Sequence, residues 1–527
     1  MKQLNDYNLQ RKFAEFSKNL WQLNWFKFPI FSTMKFLSLL LGFMAFSLSV
    51  DASVKPNIVF ILVDDMPWWG TSVEQMEGEP RSTSQFRVTP NIERIAARGM
   101  TFSNAYAAAG MCAPSRCSIQ TGLSPARHHF SGNSNFGDAA PQEVFYEAKR
   151  KDRDRMLIEP SPIGTLRDEF LTIGEALQSA GYATAHLGKW HVYGGGPERH
   201  GYNVSDGETS NTEGSPKKSE IDPADPKRIF SMTEKALGFI QEQADAGKPF
   251  YVQVSHYAEH SKQMSLPESL EFMLNREAVA SIESTGAQKE ASTHGAAVLD
   301  MDTAIGMILD RLDALGIRDE TYVFIMSDNG KNLYNGTDSI LRGDKWWLWE
   351  AGIRVPFMVE GPGVPAGSRS GENVVGYDLL PTFVDIAGGN TASPEAQFDG
   401  RSLIPLLKNQ PAKEWSERSI YFHYPHMRNS TPHSVIIKGE YKLYMFYEIP
   451  EQPQLFRLSQ DLGEEVNLAS SMPEKAQSMQ AELASYLDRV GAFLPKQNPD
   501  ADPELVPFDP ESSMPPLSRR LAKTKDK

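Results

Sequence analysis

The chain has 527 residues, of which 40% are hydrophobic and 23% are charged, and its formal net charge is −14. This composition excludes a disordered or fibrous protein, and the length allows one large domain and a smaller second one. The acidic balance excludes a general polyanion-binding surface, so no nucleic-acid partner is expected. Any anionic ligand must meet positive charge that is gathered locally.

The N-terminal segment has the pattern of a secretory signal. The apolar run after Met34 ends at Val50 and Ala52, which occupy the small-residue positions of a signal-peptidase site. The run is shorter than the roughly 20 residues of a membrane span, which favours cleavage over a signal anchor and argues against stable membrane insertion. We predict a signal peptide at 34–52 of a secreted or periplasmic protein, and before it, at 1–33, an extension or a misassigned start.

From residue 53 strands alternate with helices, which predicts an α/β fold with a large, mixed but mostly parallel sheet sandwiched by helices. Apolar runs indicate the strands, and a capping residue before proline and a capping box indicate helix starts. The predicted strands are 57–63, 182–186, 250–255 and 322–327. The predicted helices begin at Thr89-Pro90 and at Thr172 and end at Gly99 and Gly181.

Two polar stretches interrupt this pattern, and the composition shifts near the C-terminus. Residues 140–165 and 196–226 are rich in proline, glycine and charge, and we expect them to be surface insertions that contact substrate. After residue 407 short strands are predicted at 419–423, 434–438 and 442–446, with a helix over 473–490. We therefore predict a catalytic domain at 53–408, a small α+β domain at 409–495 and an extended or poorly ordered tail at 496–527.

The segment from Cys112 to Gly122 reads Cys-Ala-Pro-Ser-Arg-Cys-Ser-Ile-Gln-Thr-Gly and contains both cysteines of the chain. A pair with this spacing also fits two buried thiols or half of a zinc site. Zinc needs about four ligands, and the chain has no second cysteine pair. We expect Cys117 to be a buried structural thiol.

Polar side chains follow two of the predicted strands. Asp64-Asp65 comes directly after the first strand, and Asp328-Asn329 follows the strand at 322–327. Ligands bind at the carboxyl ends of strands in such sheets, and carboxylate and amide oxygens suit a hard divalent cation. Adjacent aspartates are also common in solvated turns. The two strand ends together predict an all-oxygen cation site, which favours calcium over zinc.

The residues from Cys112 match the signature C-x-P-S-R-x-x-x-x-T-G of the formylglycine-dependent sulfatases, which belong to the alkaline phosphatase superfamily. The chain resembles this family, and its secreted bacterial carbohydrate sulfatases, from about residue 57 to about residue 407. Three further motifs carry the resemblance in the family's order: Gly-Lys-Trp-His at 188–191, His-Tyr-Ala-Glu-His at 256–260, and Leu-Arg-Gly-Asp-Lys at 341–345 with Glu-Ala-Gly-Ile-Arg-Val-Pro at 350–356.

The resemblance implies a mechanism and a set of site residues. A formylglycine-generating enzyme would convert Cys112 into an aldehyde, and one Ca²⁺ would bind beside it. The implied metal ligands are Asp64, Asp65, Cys112, Asp328 and Asn329. The implied catalytic residues are Cys112 as nucleophile, Arg116, Lys189 and Lys345 as sulfate-binding cations, His191 as the base and His260 as the acid for the departing alcohol.

Small departures from the family pattern affect this site. Asp344 and Ala351 replace glycines, so the loop around Lys345 is expected to differ in shape. Glu259 replaces a proline beside His260, and we expect its carboxylate to raise the pKa of that histidine. Other residues have no assigned role and either line the pocket or pack in the core: His128, His129, His256, His294, Trp346, Trp347 and Trp349. The tryptophans are candidates for stacking on sugar faces.

The leading hypothesis is a sulfatase that hydrolyses sulfate esters of a carbohydrate, such as an algal glycan of the ulvan type. A second hypothesis is hydrolysis of phosphonate or phosphate diesters, because superfamily relatives use the same aldehyde. A third, from a different class, is a glycan-binding protein in which Cys112 is never oxidised. Rates on aryl sulfate and aryl phosphodiester separate the first two, and the oxidation state of Cys112 separates the third.

Overall fold

The computed structural model describes residues 55–132, 156–161, 163–217, 221–330, 339–389, 398–410, 413, 415–427, 431–505 and 507. The predictions for the extension at 1–33 and the signal peptide at 34–52 lie outside these residues. No helix in this part of the chain is long and apolar enough to cross a membrane. Residues from Lys55 onward form one compact unit.

The described strands form one large sheet, a small C-terminal sheet and two short pairs. The strands are β1 (Asn57–Val63), β2 (Met100–Phe102), β3 (Ala105–Tyr106), β4 (Leu157–Ile158), β5 (Ala183–Gly188), β6 (Val204–Ser205), β7 (Phe250–Ser255), β8 (Thr321–Ser327), β9 (Phe357–Glu360), β10 (Ser368–Ser370), β11 (Val374–Val375), β12 (Ser419–Tyr424), β13 (His433–Lys438), β14 (Tyr441–Phe446), β15 (Gln454–Arg457) and β16 (Lys496–Gln497).

The described helices surround the large sheet or pack on the small one. They are α1 (Pro90–Arg98), α2 (Cys112–Thr121), α3 (Pro125–His128), α4 (Ile173–Ser179), α5 (Ile229–Asp245), α6 (Pro267–Asn275), α7 (Glu277–Ala280), α8 (Thr285–Leu315), α9 (Glu350–Ile353), α10 (Leu379–Ile386), α11 (Ile404–Leu407) and α12 (Pro473–Arg489).

The large sheet has the order β10-β2-β9-β8-β1-β7-β5-β6. Strands β8, β1, β7, β5 and β6 run parallel, and β9 is antiparallel to both of its neighbours. This confirms the predicted mixed, mostly parallel sheet. Its central strand β1 is a nearly continuous apolar run because both of its faces are covered.

Two hydrophobic cores lie on opposite faces of the sheet. Ile58, Phe60 and Leu62 of β1 contribute to the core that also contains α2, α4 and α10. The alternate residues of β1 contribute to the second core, with α1, α5 and α8. Because side chains alternate across a strand, one seven-residue strand joins both cores, as expected for a sheet sandwiched between helices.

The C-terminal region forms an antiparallel sheet of order β12-β13-β14-β15, and α12 packs on one face of it through Leu483 and Leu487. The opposite face joins a core with Trp347, Trp349 and Tyr106. A small α+β region was predicted here, and the sheet confirms it. The domain boundary at residue 408 stays a prediction.

Most predicted elements have the expected bounds, with strands 57–63 and 250–255 matching fully and the capping box at Thr172 present. One expectation was wrong in part: the stretch 196–226 is not only a surface insertion. Within it Val204 pairs with Ala185 at the edge of the large sheet, and Thr209 is buried. The tail contributes β16, which pairs with β4 from the other predicted insertion.

Candidate active site

Four adjacent strands deliver the candidate site residues to one edge of the large sheet. In the order β8-β1-β7-β5, their carboxyl ends are followed by Asp328, Asp64, the segment 256–260 and Lys189. Main-chain hydrogen bonds continue the parallel register beyond the strands, from Asp328 N to Val63 O at 2.9 Å and from Lys189 N to Ser255 O at 2.9 Å. Parallel pairing therefore brings together residues that are distant in sequence.

A buried acidic cluster lies at this edge. Ligand atoms of Asp64, Asp65, Cys112 and Asp328 all lie within 4.8 Å of one another, and all four residues are inaccessible to solvent. The Asn329 amide nitrogen donates to Asp65 Oδ1 at 2.8 Å, which leaves its oxygen free, and that buried oxygen has no hydrogen-bond partner among the described residues. Three carboxylates and an unpartnered amide oxygen fit a hard divalent cation.

Cys112 is the first residue of α2, at the end of the helix where the macrodipole favours negative charge. Its Sγ lies 3.3 Å from Asp64 Oδ1 and 2.9 Å from Lys345 Nζ. Burial raises the pKa of the Cys112 thiol well above its usual range, and the nearby Asp328 carboxylate adds to this. As a cysteine, the side chain is therefore a protonated thiol inside the cluster.

Three cations contact the carboxylates. Lys189 Nζ lies 2.5 Å from Asp64 Oδ2, Lys345 Nζ donates to Asp65, and Arg116 Nε lies 2.8 Å from Asp328 Oδ2. Arg116 also donates to the main-chain oxygen of Lys189 at 2.6 Å, while its Nη2 has no partner among the described residues. The three cations thus balance the three carboxylates, although the chain as a whole carries a net charge of −14.

The cations and carboxylates shift each other's pKa values. Burial alone would raise the pKa of Asp64, but Lys189 and other nearby cations hold it well below its usual range. Burial raises the pKa of Asp328 to about 6, and Asp64 contributes to that rise. Burial opposes the charge of Lys345, yet Asp65 and the neighbouring anions raise its pKa well above its usual range.

Two histidines flank the cluster. His191 follows β5 in the left-handed conformation with φ 58°, held by its N–H donating to Thr209 O at 2.8 Å, and its Nδ1 is buried without a partner among the described residues. Burial and then Lys189 lower the pKa of His191 well below its usual range, so the imidazole is neutral. His260 is half-buried, and its Nδ1 lies 2.9 Å from Ser261 O.

The expectation that Glu259 raises the pKa of His260 was wrong. Burial lowers the pKa of His260, although Asp64 opposes this. The Glu259 carboxylate instead forms a buried ion pair with Arg87, with 2.8 Å between Nη2 and Oε2, and His294 Nδ1 lies 3.4 Å from the same oxygen. Arg87 therefore neutralises the Glu259 carboxylate, which was expected to act on His260.

The remaining histidines and tryptophans mostly pack in the interior. His128 bonds Ser118 Oγ at 2.8 Å, and the ring of His129 stacks on Phe493. His256 is buried, and neither ring nitrogen has a hydrogen-bond partner among the described residues.

Trp347 and Trp349 belong to a hydrophobic core, with the Trp349 ring centroid 4.1 Å from that of Tyr444. Sugar stacking was therefore the wrong alternative for these two residues. Trp346 is partly buried, and its main-chain N–H donates to Gly110 O at 2.7 Å. This hydrogen bond connects the Lys345 loop to the segment just before α2.

The structure brings eight of the residues that the motifs singled out into one cluster of contacts: Asp64, Asp65, Cys112, Arg116, Lys189, Asp328, Asn329 and Lys345. It also adds residues that sequence patterns missed. Thr209 accepts hydrogen bonds from the main chain of both Trp190 and His191, and Lys227 is buried and donates to the main-chain oxygen of Gly214. Neither residue lies in a motif, and no local signal in the sequence marks them, because only the folded chain brings them against their partners.

Comparison with known proteins shows which family the chain belongs to. The sulfatase family model matches residues 56–389, and the model of the N-sulphoglucosamine sulphohydrolase C-terminal region matches residues 342–492. An N-acetylgalactosamine-6-sulfatase of Mus musculus is 30% identical over 436 residues, which cover 76% of this chain and 74% of the relative. A sulfatase of Formosa agariphila is 27% identical over 500 residues, covering 81% of this chain and 86% of the relative.

The fold has counterparts among solved structures. Ps i-CgsB, solved in complex with k-i-k-neocarrahexaose, superposes with a TM-score of 0.65 and 20% identity, covering 90% of this chain and 100% of that one. At this identity the similarity concerns the fold alone. The family model spans more than half of this chain, and the relatives named here cover most of it. The chain therefore belongs to the sulfatase family and is a sulfuric ester hydrolase.

Proposed function

We propose that the protein hydrolyses sulfate esters of a sulfated carbohydrate, with a formylglycine derived from Cys112 and one bound Ca²⁺. The observation that carries the proposal is the surroundings of Cys112: it begins a helix, and its Sγ lies 3.3 Å from Asp64 Oδ1 and 2.9 Å from Lys345 Nζ inside one buried cluster. A nucleophile, a cation site and sulfate-binding groups are then in direct contact.

The donor set supports the choice of a hard cation. Asp64, Asp65, Asp328 and the Asn329 amide oxygen would hold it, with position 112 as a further ligand once its sulfur is replaced by oxygen. When bound, the cation would polarise sulfate oxygens and lower the pKa of a hydroxyl at position 112. The oxidised side chain would supply a hydrated aldehyde with two hydroxyls. One would attack the sulfur atom, and deprotonation of the other would allow sulfate to be released.

The residues of the chain itself have distinct tasks in this proposal. Arg116, Lys189 and Lys345 neutralise the charge that develops on the sulfate oxygens, and the unpartnered Nη2 of Arg116 offers a donor for one of them. His191 is neutral because its pKa is lowered, so it can accept a proton from position 112. His260 donates a proton to the leaving alcohol, and a bound sulfate anion favours its charged form.

The names of similar proteins support a carbohydrate as the substrate. One relative is named N-acetylgalactosamine-6-sulfatase, and Ps i-CgsB was solved in complex with k-i-k-neocarrahexaose. An algal glycan such as ulvan is among the candidates.

The test is release of free sulfate from ulvan, carrageenan, fucoidan and chondroitin oligosaccharides by protein with verified formylglycine at position 112. We expect release from at least one glycan, its loss after treatment with EDTA, and recovery with Ca²⁺ but less with Mg²⁺. Turnover of aryl phosphodiesters with no sulfate ester hydrolysed would overturn the proposal. Full activity in EDTA would contradict the part of the proposal that assigns a role to the cation.

A further inference from the structure

Lys227 is a buried cation that the proposed chemistry does not use. It lies in the short turn Pro226–Arg228 before α5 and is 2% exposed. Its Nζ donates a hydrogen bond to the main-chain oxygen of Gly214 at 3.1 Å, and within the described ranges no carboxylate forms an ion pair with it. Buried lysines are almost always paired with an anion, so this ammonium lacks its usual partner.

The turn holds Lys227 in an unusual conformation. Lys227 and Arg228 are consecutive non-glycine residues in the left-handed region, with φ 53° and 57°. Such residues cost free energy and persist where the surroundings determine them, frequently at ligand-binding sites. The backbone therefore fixes the position of this lysine at an energetic cost.

Gly214, which accepts the hydrogen bond from Lys227, packs against Tyr257 of the motif 256–260. A Cβ atom at Gly214 would lie 2.3 Å from the Tyr257 ring, so the two segments are in close contact. Tyr257 lies in the motif 256–260, and its main-chain oxygen accepts from His260 N at 3.1 Å. Gly214 and Tyr257 thus connect Lys227 to the segment that ends in His260, the proposed proton donor.

The charges of the site act on Lys227 as well. Burial lowers the pKa of Lys227 to about 8, Asp64 and Asp65 oppose this change, and Lys189 adds to it.

We propose that Lys227 binds a second anionic group of the substrate, a sulfate or a carboxylate on the same sugar or its neighbour, beside the sulfate ester that is hydrolysed. The inference rests on the proposed function and extends it to substrates with at least two anionic groups. A ligand oxyanion supplies the counter-charge that the described chain does not, which offsets the cost of burying the ammonium. Lys227 is then a specificity-determining residue.

The test uses anions of known spacing, and it does not require the natural glycan. Dissociation constants are measured calorimetrically for methanesulfonate, for the α,ω-disulfonates from methane to butane, and for sulfoacetate and 3-sulfopropionate. We expect at least one divalent anion to bind the wild type about tenfold more tightly than methanesulfonate. The disulfonates and the sulfocarboxylates distinguish a second sulfate from a carboxylate.

Lys227→Gln is expected to lose this preference for the divalent anion. The matched control is Lys235→Gln, which removes a charge from the exposed face of α5, where the lysine side chain is 52% exposed, and retains the preference. Lys227→Arg keeps the charge on a longer, forked side chain, so we expect the preferred disulfonate to change in length. This variant decides the matter if Lys227→Gln does not fold.

Three outcomes overturn the inference. The first is a wild type that binds no divalent anion more tightly than methanesulfonate. The second is a Lys227→Gln protein that binds monovalent and divalent anions more weakly by the same factor, and the third is a Lys227→Arg protein with an unchanged length preference. Because calorimetry needs no turnover, these results are independent of whether sulfate is released from glycans.

Discussion

The position of Cys112 explains why this cysteine, and not Cys117, is the proposed nucleophile. Both thiols are buried and unpaired, and both lie on α2. Cys112 starts the helix and contacts Asp64 and Lys345, whereas Cys117 lies one turn further on, within the hydrophobic core. Burial raises the pKa of both thiols, so neither is a reactive thiolate, and this supports the proposed modification of position 112.

Replacing Cys112 by serine tests the need for two hydroxyls. We expect Cys112→Ser to release at most one equivalent of alcohol from an aryl sulfate and then to retain a sulfated serine, because a single hydroxyl can attack sulfur but cannot expel sulfate. Sulfate release and the intact mass of the protein are the measurements. Cys117→Ser is the matched control and should keep turnover. Sustained turnover by Cys112→Ser would contradict the mechanism.

Helix α1 shows how one element depends on another that is far away in sequence. Thr89 begins the helix without a side-chain cap, and the Asp302 carboxylate of α8 instead accepts hydrogen bonds from Asn91 N at 3.0 Å and Ile92 N at 2.9 Å. This carboxylate is buried. The cap predicted from Thr89 therefore has the right position, but a different residue provides its hydrogen bonds.

We expect Asp302→Ala to lower the free energy of unfolding by about 1–3 kcal/mol at pH 5, because two buried N–H groups lose their acceptor. Burial raises the pKa of Asp302 to about 6, above its value in the unfolded chain. The stabilisation by this group is therefore complete below about pH 4 and decreases as the pH rises through about 6. The cost of the substitution should be smaller at pH 7 than at pH 5.

Urea unfolding at the two pH values measures this difference. Asp310→Ala is the control, because this residue also lies on α8 near α1, but its side chain is 70% exposed. A surface change of this kind is expected to stay within about 0.5 kcal/mol at both pH values. An equal or larger cost of Asp302→Ala at pH 7 would show that the titration of Asp302 does not contribute.

At the scale of the whole molecule, a buried charge network joins the C-terminal sheet to the loop that carries Lys345. Lys442 of β14 lies 2.7 Å from Glu350 and 3.0 Å from Glu464, and all three side chains are inaccessible to solvent. Glu464 also accepts from Glu350 N at 2.8 Å. Tyr444 donates to Leu348 O at 2.9 Å, so the loop that carries Lys345 rests on this sheet.

We expect Lys442→Met to lower the free energy of unfolding by about 3–5 kcal/mol, because two buried carboxylates lose their shared cation. The loop from Lys345 to Glu350 should loosen, so kcat should fall even at temperatures where the protein is folded. Denaturant unfolding and aryl sulfate turnover are the measurements. Lys438→Met breaks a half-exposed ion pair on the neighbouring strand and should change both quantities little. Unchanged turnover in folded Lys442→Met would show that activity does not depend on this contact between the C-terminal sheet and the Lys345 loop.

The sequence by itself determined the features that depend on neighbouring residues. Apolar runs predicted β1 and β7, capping signals predicted α1 and α4, and contiguous motifs predicted the residues that gather around Cys112. These predictions succeed because periodicity, capping and a helix start are local properties of the chain. The motifs also lie at strand ends, and parallel pairing brings strand ends together.

Only the tertiary structure decided the partners of the buried charges. Arg87 neutralises Glu259, Asp302 caps α1, and Lys442 supports the loop of Lys345, each across at least 92 positions in sequence. Thr209, in a stretch that was expected to lie on the surface, is buried and accepts a hydrogen bond from His191 N. A buried charge selects its partner by distance in the folded protein, and that distance is set by the packing of the sheet and helices.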